Sequence, residues 1–539
     1  MENKVHTYPK GCVFTTLESI KDKHVTVMGL GLNGGGEASV RFFLQHGAYV
    51  IATDMKTSEQ LKPTIDRLAS DKKLDLSRLT YRLGEHRIED FSDSDCVIKN
   101  PGVKIEGNKY LAAAKAIETD ISIFLHFANI AKVPIIAVTG SKGKSSTVSA
   151  IHYGLLKAGF TAFLGGNITV SPLTFLEQTN EKTPVVLELS SWQLADLRGR
   201  GCLKPKISLI TKIVPDHQNW YGNMESYVAD KRLIYADQDE NDFSIFDADG
   251  DEKGTGPACG GTWGDLFAKE SKAKVLRYSK SVLPAGISGC YQVQTDSQNK
   301  TDSNFIGKLR LPDDSGDITV LEKLAVPGSH MQTNVLNAAL VMKLMGVPTE
   351  KIKQILESWP GIAHRLQFFH SWKNTETANS TDSASKTVYN FYNDSCATVP
   401  EAAAAASQAF GKPVIFITGG TDKGLEFDLL ADSILCKDKA TIPLKALYLL
   451  AGTGTDKLLT LLEGKNVKYS GPFNSLQELL LQLKKDLTEG AERNFAESNS
   501  FKEEGAVPVV FSPGATSFGM FTNEFDRGNK FMDGVKEIF

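Results

Sequence analysis

The chain has 539 residues, with 60 Lys and Arg against 64 Asp and Glu; it is too long for one core and lacks the basic excess typical of nucleic-acid-binding proteins. Its seven cysteines form no C-x-x-C pair and no zinc-binding spacing, which suits a reducing cytosol. The polar N-terminus has no signal-peptide core and no apolar run approaches the ~18 residues of a membrane span, so we expect a cytoplasmic protein that is not integral to a membrane.

A glycine-rich turn lies between two apolar stretches near the start of the chain. Val25–Met28 predicts a strand, and Gly29–Gly34 follows with glycines at its first, third and sixth positions. Helical apolar spacing comes next, and a second predicted strand, Tyr49–Ala52, leads to Asp54. This pattern is typical of a mononucleotide-binding fold, and on its own it favours NAD with Asp54 on a ribose hydroxyl. The alternative is that the glycines serve packing alone.

A second break in the pattern, Lys99–Val103, follows the apolar stretch Asp95–Ile98. It predicts a loop at the carboxyl end of a sheet, where such folds bind ligands. Residues 1–132 are therefore predicted to form a Rossmann-like α/β domain with a nucleotide-like ligand.

The stretch Val133–Ser146 predicts a strand, a glycine turn and a helix in direct succession. This geometry cradles phosphate, because glycines let backbone N–H groups approach the anion at the helix N-terminus. Lys144 would pair with the β- and γ-phosphates and Ser145 would contact Mg²⁺. The spacing is two residues shorter than the general phosphate loop, which leaves an incidental glycine-lysine turn as the alternative.

Three polar residues stand out beyond this turn. Glu188 lies on an apolar stretch, where a carboxylate is costly unless it is paired or binds a metal. His217 follows another apolar run, and it is either a metal ligand or a hydrogen-bonded core histidine. Lys231 lies on a predicted helical stretch, Glu225–Tyr235, and composition alone predicts a solvated surface lysine.

The end of this central domain is less regular. Residues 241–320 are rich in Asp, Gly, Ser and Lys, and they predict a short β-containing segment with polar loops inserted into the domain. Asn334 is predicted to begin a helix that ends at Leu344, either touching an adenine edge or only capping the helix. Pro360-Gly361 marks the boundary of a central domain of residues 133–360.

A third doubly wound domain is predicted for residues 361–539. Polar low-complexity loops are expected at 371–387 and 488–506. Four predicted strands each run into a loop of Gly, Ser or Asp, which implies a ligand at the carboxyl edge of a parallel sheet. These strands are Val388–Tyr392, Val414–Thr418, Leu447–Leu450 and Val509–Phe511.

Several motifs together resemble the Mur ligases, the ATP-dependent enzymes that add amino acids to the peptidoglycan precursor. The resemblance covers nearly the whole chain and is strongest to the branch that adds D-glutamate. The motifs are TGSKGKSS (139–146), GGNI (165–168), LELSSWQL (187–194), PDHQNWY (215–221), NVLNAA (334–339), GIAHR (361–365), YNDSCAT (392–398), GGTDKG (419–424) and SPGATSF (512–518).

This resemblance implies a three-domain α/β fold and a two-step reaction. The first domain would bind the UDP end of UDP-N-acetylmuramoyl-L-alanine rather than NAD, the second ATP and Mg²⁺, and the third D-glutamate. ATP would phosphorylate the alanyl carboxylate, and the amine of D-glutamate would then displace phosphate. The resemblance also implies a monomer with two Mg²⁺ ions and a carbamylated Lys231.

The resemblance further implies four sets of site residues. The catalytic residues would be Lys144, Lys231, His217 and Asp394, and the metal ligands Ser145, Glu188, His217 and Lys231. ATP would contact Gly140, Ser141, Lys142, Gly143, Lys144, Ser145, Ser146, Asn334, Arg365 and Asp394. The UDP precursor would contact Leu32, Asn33, Gly34, Asp54, Asn100, Gly102, Asn167, Ser190 and Gln193. The amino acid would contact His364, Thr398, Lys423, Ser517 and Phe525.

Three departures from the family pattern and three alternatives remain. One departure is that the chain carries extra segments near 250–320, 371–387 and 490–505. Cys396 stands where the family's D-S-K-A-T motif has lysine, which leaves Lys423 as the one lysine for the D-glutamate carboxylates; Met331 replaces an asparagine. An NAD-dependent oxidoreductase would leave the phosphate loop without a role. A related Mur or folyl-polyglutamate-type ligase would use the same chemistry with another amino acid. A non-catalytic UDP-sugar-binding protein would have lost Lys144, Glu188 or His217, and all three are present.

Overall fold

The computed structural model describes residues 6–168, 170–294, 305–312, 316–374, 387–438, 441–489, 506–517 and 519–539. The chain divides into two compact units. The first comprises Met1–Val293, Ile306–Leu321 and Thr333–Leu356, and the second comprises Gln294–Phe305, Glu322–Gln332 and Glu357–Phe539. In the described part of the chain, every helix is too short or too polar to cross a bilayer. The predicted domain boundaries at residues 132 and 360 stay predictions.

The first sheet of the first unit is fully parallel, with strand order β3-β2-β1-β4-β5. The predicted first two strands are confirmed, and Val40 and Phe43 of the following helix are fully buried against them. The elements are β1 (His24–Met28), α1 (Gly35–Gln45), β2 (Tyr49–Asp54), α2 (Ser58–Ala69), β3 (Leu79–Leu83), α3 (Ile88–Ser92), β4 (Cys96–Lys99), α4 (Lys109–Ala113), β5 (Ile117–Glu118) and α5 (Asp120–Ile130).

The second sheet of this unit has the order β14-β13-β12-β11-β10-β9-β6-β8-β7. Its strands from β7 to β12 pair in parallel, whereas the edge strand β14 runs antiparallel to β13. The elements are β6 (Ile135–Thr139), α6 (Lys144–Ala158), β7 (Phe163–Gly166), β8 (Val185–Glu188), α7 (Ser191–Ala195), β9 (Ile207–Ile210), α8 (Gln218–Tyr221), α9 (Met224–Lys231), β10 (Phe243–Asp247), α10 (Trp263–Glu270), β11 (Lys274–Ser279), β12 (Gly289–Gln294), β13 (Phe305–Arg310), β14 (Ile318–Leu321), α11 (Ser329–Leu344) and α12 (Thr349–Leu356).

Residues 241–320 contain the predicted β structure, but in the part that the structure describes it is more extensive than a short inserted segment. Five strands, β10 to β14, and one helix extend the second sheet through this segment. Each strand is only four to six residues long, and the polar residues concentrate in the turns, so the average composition hides the strands. Ile245, Phe246 and Leu309 are fully buried and tie the segment to the core.

The sheet of the second unit has the order β15-β16-β20-β17-β18-β19. All pairs are parallel except β15 with β16. The four predicted strands are confirmed, and β15 and β19 were not predicted. The elements are β15 (Gln367–Lys373), β16 (Val388–Asn393), α13 (Pro400–Gln408), β17 (Ile415–Gly419), α14 (Asp428–Ile434), β18 (Ala446–Leu450), α15 (Thr453–Leu462), β19 (Ser470–Phe473), α16 (Leu476–Glu489), β20 (Val507–Phe511) and α17 (Glu524–Ile538).

The two predicted polar loops of this region are shorter than expected where the structure describes them. Residues 371–373 belong to β15, and α16 continues to Glu489. The remainder of these predictions, at 375–386 and 490–505, lies outside the described residues.

Candidate active site

The predicted phosphate loop joins β6 to α6 and contains two positions, 140 and 143, whose backbone conformation favours glycine. Gly140 has φ +141°, and a Cβ there would lie 1.9 Å from Thr211 Oγ1. Gly143 precedes the first turn of α6 with φ +93°. The unpaired backbone N–H groups of the first turn of α6, a 15-residue helix, therefore lie at this loop, which is the arrangement that binds an anion.

Two lysine side chains converge on one carbonyl of this loop. Lys144 Nζ and Lys231 Nζ each donate to Gly140 O at 2.9 Å. Lys231 is 2% exposed, so the composition-based prediction of a solvated lysine is wrong. Burial, and next the nearby Lys144 ammonium, lower the pKa of Lys231 to about 7. Burial also lowers the pKa of Lys144.

Glu188 ends β8 beside the loop and is 1% exposed. Its Oε1 accepts a hydrogen bond from Asn167 Nδ2 at 2.8 Å. Its Oε2 is buried and has no hydrogen-bond partner among the described residues. A buried carboxylate oxygen without a donor is costly, so this oxygen fits a cation such as Mg²⁺.

His217 lies in an open position rather than in a core. Its backbone is left-handed, with φ +52°, and its side chain is 45% exposed. The ring lies 5.0 Å from that of Trp192, and Nε2 is 3.9 Å from Asp216 Oδ2. The alternative of a core histidine is therefore wrong. Within the described ranges, no three His, Cys, Asp or Glu side chains are grouped to hold a metal, so any metal set must also use other donors, such as the predicted Ser145 and Lys231.

Asn334 contacts the phosphate loop from α11. The helix begins at Ser329, five residues before the predicted start, so the alternative that Asn334 only caps it is wrong. The side chain is 7% exposed, and its Oδ1 lies 2.6 Å from where a Cβ on Gly143 would stand. The adenine contact itself stays a prediction.

A cleft of about 360 Å³ gathers six of the nine residues predicted to bind the UDP precursor. We call it the precursor cleft. One wall comes from the first sheet and its loops, and the other from the second sheet and the start of α7. Its lining also includes Lys99, Asp120 and Trp192, which are not among the nine residues predicted to contact the precursor. The six predicted lining residues are Asn33, Asn100, Gly102, Asn167, Ser190 and Gln193.

Leu32, Gly34 and Asp54 do not line this cleft. Leu32 is 45% exposed, and Gly34 precedes α1 with φ +90°. Asp54 accepts hydrogen bonds from the backbone N–H groups of Gly31 and Lys56, each at 2.9 Å. Its carboxylate therefore braces the glycine turn.

Asp394 follows β16 at the carboxyl edge of the second unit's sheet and is 8% exposed. Ser512 Oγ donates to its Oδ2 at 2.6 Å, and the Leu366 N–H donates to its Oδ1 at 3.0 Å. Burial raises the pKa of Asp394 to about 6 despite these donors. Beside it, His364 is buried with φ +61°, its Nδ1 2.9 Å from Asn393 Nδ2, whereas Arg365 is exposed.

The five residues predicted for the amino acid lie on the loops and helix at this same edge. Lys423 is exposed, Ser517 is buried and Thr398 is half-buried. Phe525 is 52% exposed, with its ring 5.5 Å from that of His364. Cys396 is half-buried, and burial raises the pKa of its thiol.

Sequence reasoning missed Arg527, a residue of α17 that is 1% exposed. Its guanidinium donates to Ser395 Oγ at 3.0 Å and to the carbonyls of Ser395, Ala515 and Thr516 at 2.8–3.0 Å. It thus ties the loops that follow β16 and β20. Burial lowers its pKa to about 10. An isolated arginine on a helix gives no local signal of this role.

Comparisons with known proteins agree along nearly the whole chain. A protein of Treponema pallidum named UDP-N-acetylmuramoylalanine--D-glutamate ligase is 37% identical over 96% of this chain and 98% of its own length. One of the same name from Borreliella afzelii is 35% identical with the same coverage. The crystal structure of MurF from Acinetobacter baumannii, 16% identical, covers 82% of this chain and 91% of its own with a TM-score of 0.50, a likeness of fold.

Two domain models complete the comparison. Residues 23–123 match the Mur ligase MurD-like N-terminal domain, and residues 138–342 match the Mur ligase middle domain. The glycine turns at 29–34 and 140–143, the precursor cleft and the phosphate loop fall within these matches. The chain belongs to the Mur ligase family.

Proposed function

We propose that the chain is an ATP-dependent ligase that joins D-glutamate to UDP-N-acetylmuramoyl-L-alanine, releasing ADP and phosphate. The observation that carries the proposal is the phosphate loop with Lys144 and Lys231 on one carbonyl, in a chain that matches ligases of that name over nearly its full length. The three domains, 1–132, 133–360 and 361–539, would divide the work as the resemblance implies. We further propose a monomer in the cytoplasm.

The first half of the reaction needs charge neutralisation at the phosphates of ATP. The alanyl carboxylate attacks the γ-phosphorus, the bond to ADP breaks, and an acyl phosphate forms. Lys144 and the N–H groups at the start of α6 would bind the β- and γ-phosphate oxygens. Asn334, buried against Gly143, would hold the adenine, and the precursor cleft would hold the UDP end of the other substrate.

The residues at the loop fit Mg²⁺. Glu188 has a buried oxygen with no hydrogen-bond partner in the described part of the chain, and Ser145 lies in the first turn of α6. His217 is exposed to solvent, and Lys231 as a carbamate would offer an oxygen ligand. Bound Mg²⁺ would neutralise phosphate charge as a Lewis acid. The burial of Lys231 beside a second ammonium supports its carbamylation, because it favours the neutral amine that reacts with CO₂.

The second half of the reaction belongs to the second unit. The D-glutamate amine attacks the acyl carbon, phosphate leaves, and the amine gives up a proton. Asp394 would orient the amine, with His364 and Arg365 beside the phosphates. Lys423 would pair with a D-glutamate carboxylate, because Cys396 cannot supply the positive charge that the family has there.

The test is ADP release by the purified protein with UDP-N-acetylmuramoyl-L-alanine and a panel of D- and L-amino acids. D-glutamate should give the highest rate by far, and omission of the precursor should abolish release. A Lys144→Ala variant serves as the matched inactive control. If another amino acid is preferred, the D-glutamate assignment is rejected; if none supports release, the ligase assignment falls.

A further inference from the structure

Lys99 carries the only positive charge among the described residues that line the precursor cleft. It is the last residue of β4 and is 3% exposed. A buried ammonium is costly unless it is paired and hydrogen-bonded. The position of Lys99 at the cleft therefore needs an explanation that the site residues described above do not provide.

The ammonium is paired with a carboxylate that lies just behind the other wall, at the end of α7. Lys99 Nζ lies 2.8 Å from Asp196 Oδ2 and donates to Asn100 O at 3.1 Å. Asp196 is 5% exposed and follows the last residue of α7. The Tyr8 hydroxyl donates to Asp196 Oδ1 at 2.9 Å. Arg200 joins the same network, because its Nε donates to Asp196 O at 2.8 Å and its guanidinium lies 4.3 Å from the centre of the Tyr8 ring.

This ion pair joins the two walls of the cleft. On one side, Lys99 is followed directly by Asn100–Gly102, which lines the cleft from the first sheet. On the other side, Asp196 stands three residues after Gln193, which lines the cleft from α7 of the second sheet. A change in the Lys99–Asp196 distance is therefore expected to change the spacing of the residues that line the two walls.

We propose that Lys99 and Asp196 are a positioning pair, which holds the walls of the precursor cleft at the spacing that a UDP-sugar needs. The inference rests on the proposed function for the identity of the ligand. A buried ion pair contributes little net stability compared with apolar residues of similar size, but it fixes one geometry. The role of the Lys99–Asp196 pair is therefore to fix the distance between the two walls of the cleft.

A neighbouring ion pair provides a control through Glu118, the member of that pair for which no hydrogen bond to Lys99, Asp196 or Tyr8 is observed in the described part of the chain. Arg200 Nη1 lies 2.8 Å from Glu118 Oε2, and both residues are 3% exposed. Glu118 lies on β5 of the first sheet and Arg200 lies beyond α7, so this pair joins the same two parts of the chain. Neither residue lines the cleft. A purely structural role of buried ion pairs would make the two pairs behave alike.

The experiment compares Lys99→Met, Asp196→Asn, Lys99→Met/Asp196→Leu and Glu118→Gln in the full chain. Calorimetric binding of UDP-N-acetylmuramoyl-L-alanine, KM for this substrate and for ATP, and Tm are measured for each. Lys99→Met and Asp196→Asn should weaken precursor binding about tenfold and leave the KM for ATP within about twofold. Glu118→Gln should lower Tm but leave precursor binding unchanged.

The double variant separates position from stability. An apolar pair should restore Tm towards the wild-type value, because it removes both buried charges. Precursor binding by the double variant should nevertheless stay about tenfold weaker than that of the wild type. Lys99→Arg should retain more of the binding affinity than Lys99→Met. The inference is overturned if the double variant binds the precursor like wild type, or if Lys99→Met weakens ATP and precursor equally. If the wild-type chain binds the precursor but releases no ADP, the ligase proposal is rejected. The calorimetric binding data would still show whether Lys99 and Asp196 position the cleft.

Discussion

Replacing Asp394 by Asn should stabilise the protein above pH 6 while impairing catalysis. Burial raises the pKa of this carboxyl from 3.8 to about 6. Between these values the native state binds the proton more tightly than the unfolded chain, so stability falls as pH rises through this window. The difference corresponds to roughly 3 kcal/mol of free energy of unfolding, lost in full above pH 6.

The surroundings of Asp394 can accept an amide. The Leu366 N–H would still donate to Oδ1, and the Ser512 hydroxyl, which now donates to Oδ2, can turn to accept from the new Nδ2. Asp394→Asn should therefore gain up to roughly 3 kcal/mol at pH 8, about 6–12 °C in Tm for a unit of this size. Near pH 4 the two proteins should unfold at nearly the same temperature.

Scanning calorimetry of both proteins at pH 4, 5, 6, 7 and 8 measures this difference directly. Ser512→Ala is the control of opposite sign, because it removes a donor to the charged carboxylate and should lower Tm above pH 6. ADP release by Asp394→Asn should fall at every pH, since the residue is predicted to act at the site. A Tm difference that is independent of pH, or an Asn variant less stable at pH 8, would refute the reasoning.

Three further substitutions test the proposed site. Lys144→Ala should reduce ADP release by ~10³-fold with unchanged calorimetric binding of the UDP precursor, because it removes charge only at the phosphate loop; equal loss of both would contradict the assignment. Lys231→Ala should be at least ~10²-fold less active and partly restored by acetate or formate, which supply a carboxylate in place of the carbamate; a fully active variant would reject the carbamate. Lys423→Ala should raise the KM for D-glutamate by about tenfold or more with little change for ATP, and Cys396→Lys should keep or lower the D-glutamate KM; an unchanged D-glutamate KM in Lys423→Ala would show that the pocket is wrongly assigned.

The sequence predicts elements whose signals are local. A β-branched run before Gly140 and helical spacing after Gly143 fix the strand, turn and helix of the phosphate loop, and both glycines adopt positive φ. The sequence predicts the start of α11 five residues late, because the first turn of this helix, beginning at Ser329, carries few apolar residues. The pattern became readable only at Val335, which is fully buried.

Features that depend on pairing between distant segments could not be predicted. Strands β10 to β14 are recognisable only beside β9, since each alone is a short run among polar turns. The Lys99–Asp196 contact joins residues almost a hundred positions apart. The sequence places Lys99 at the start of a predicted ligand-binding loop, but nothing in it indicates that Asp196 is the partner. Arg527 likewise becomes significant only when α17 brings it to the loop carbonyls of Ala515 and Thr516.

The composition of the precursor cleft bears on the search for inhibitors. Six of its nineteen lining residues lie beyond residue 132, the predicted end of the first domain. A fragment library screened against residues 1–132 alone would therefore lack the part of the cleft that residues 166–193 provide. A compound that fills the intact cleft would contact residues from both sheets of the first unit and so stabilise them together. Such a compound should raise the melting temperature of both sheets together, whereas a compound bound to the surface of one sheet should not.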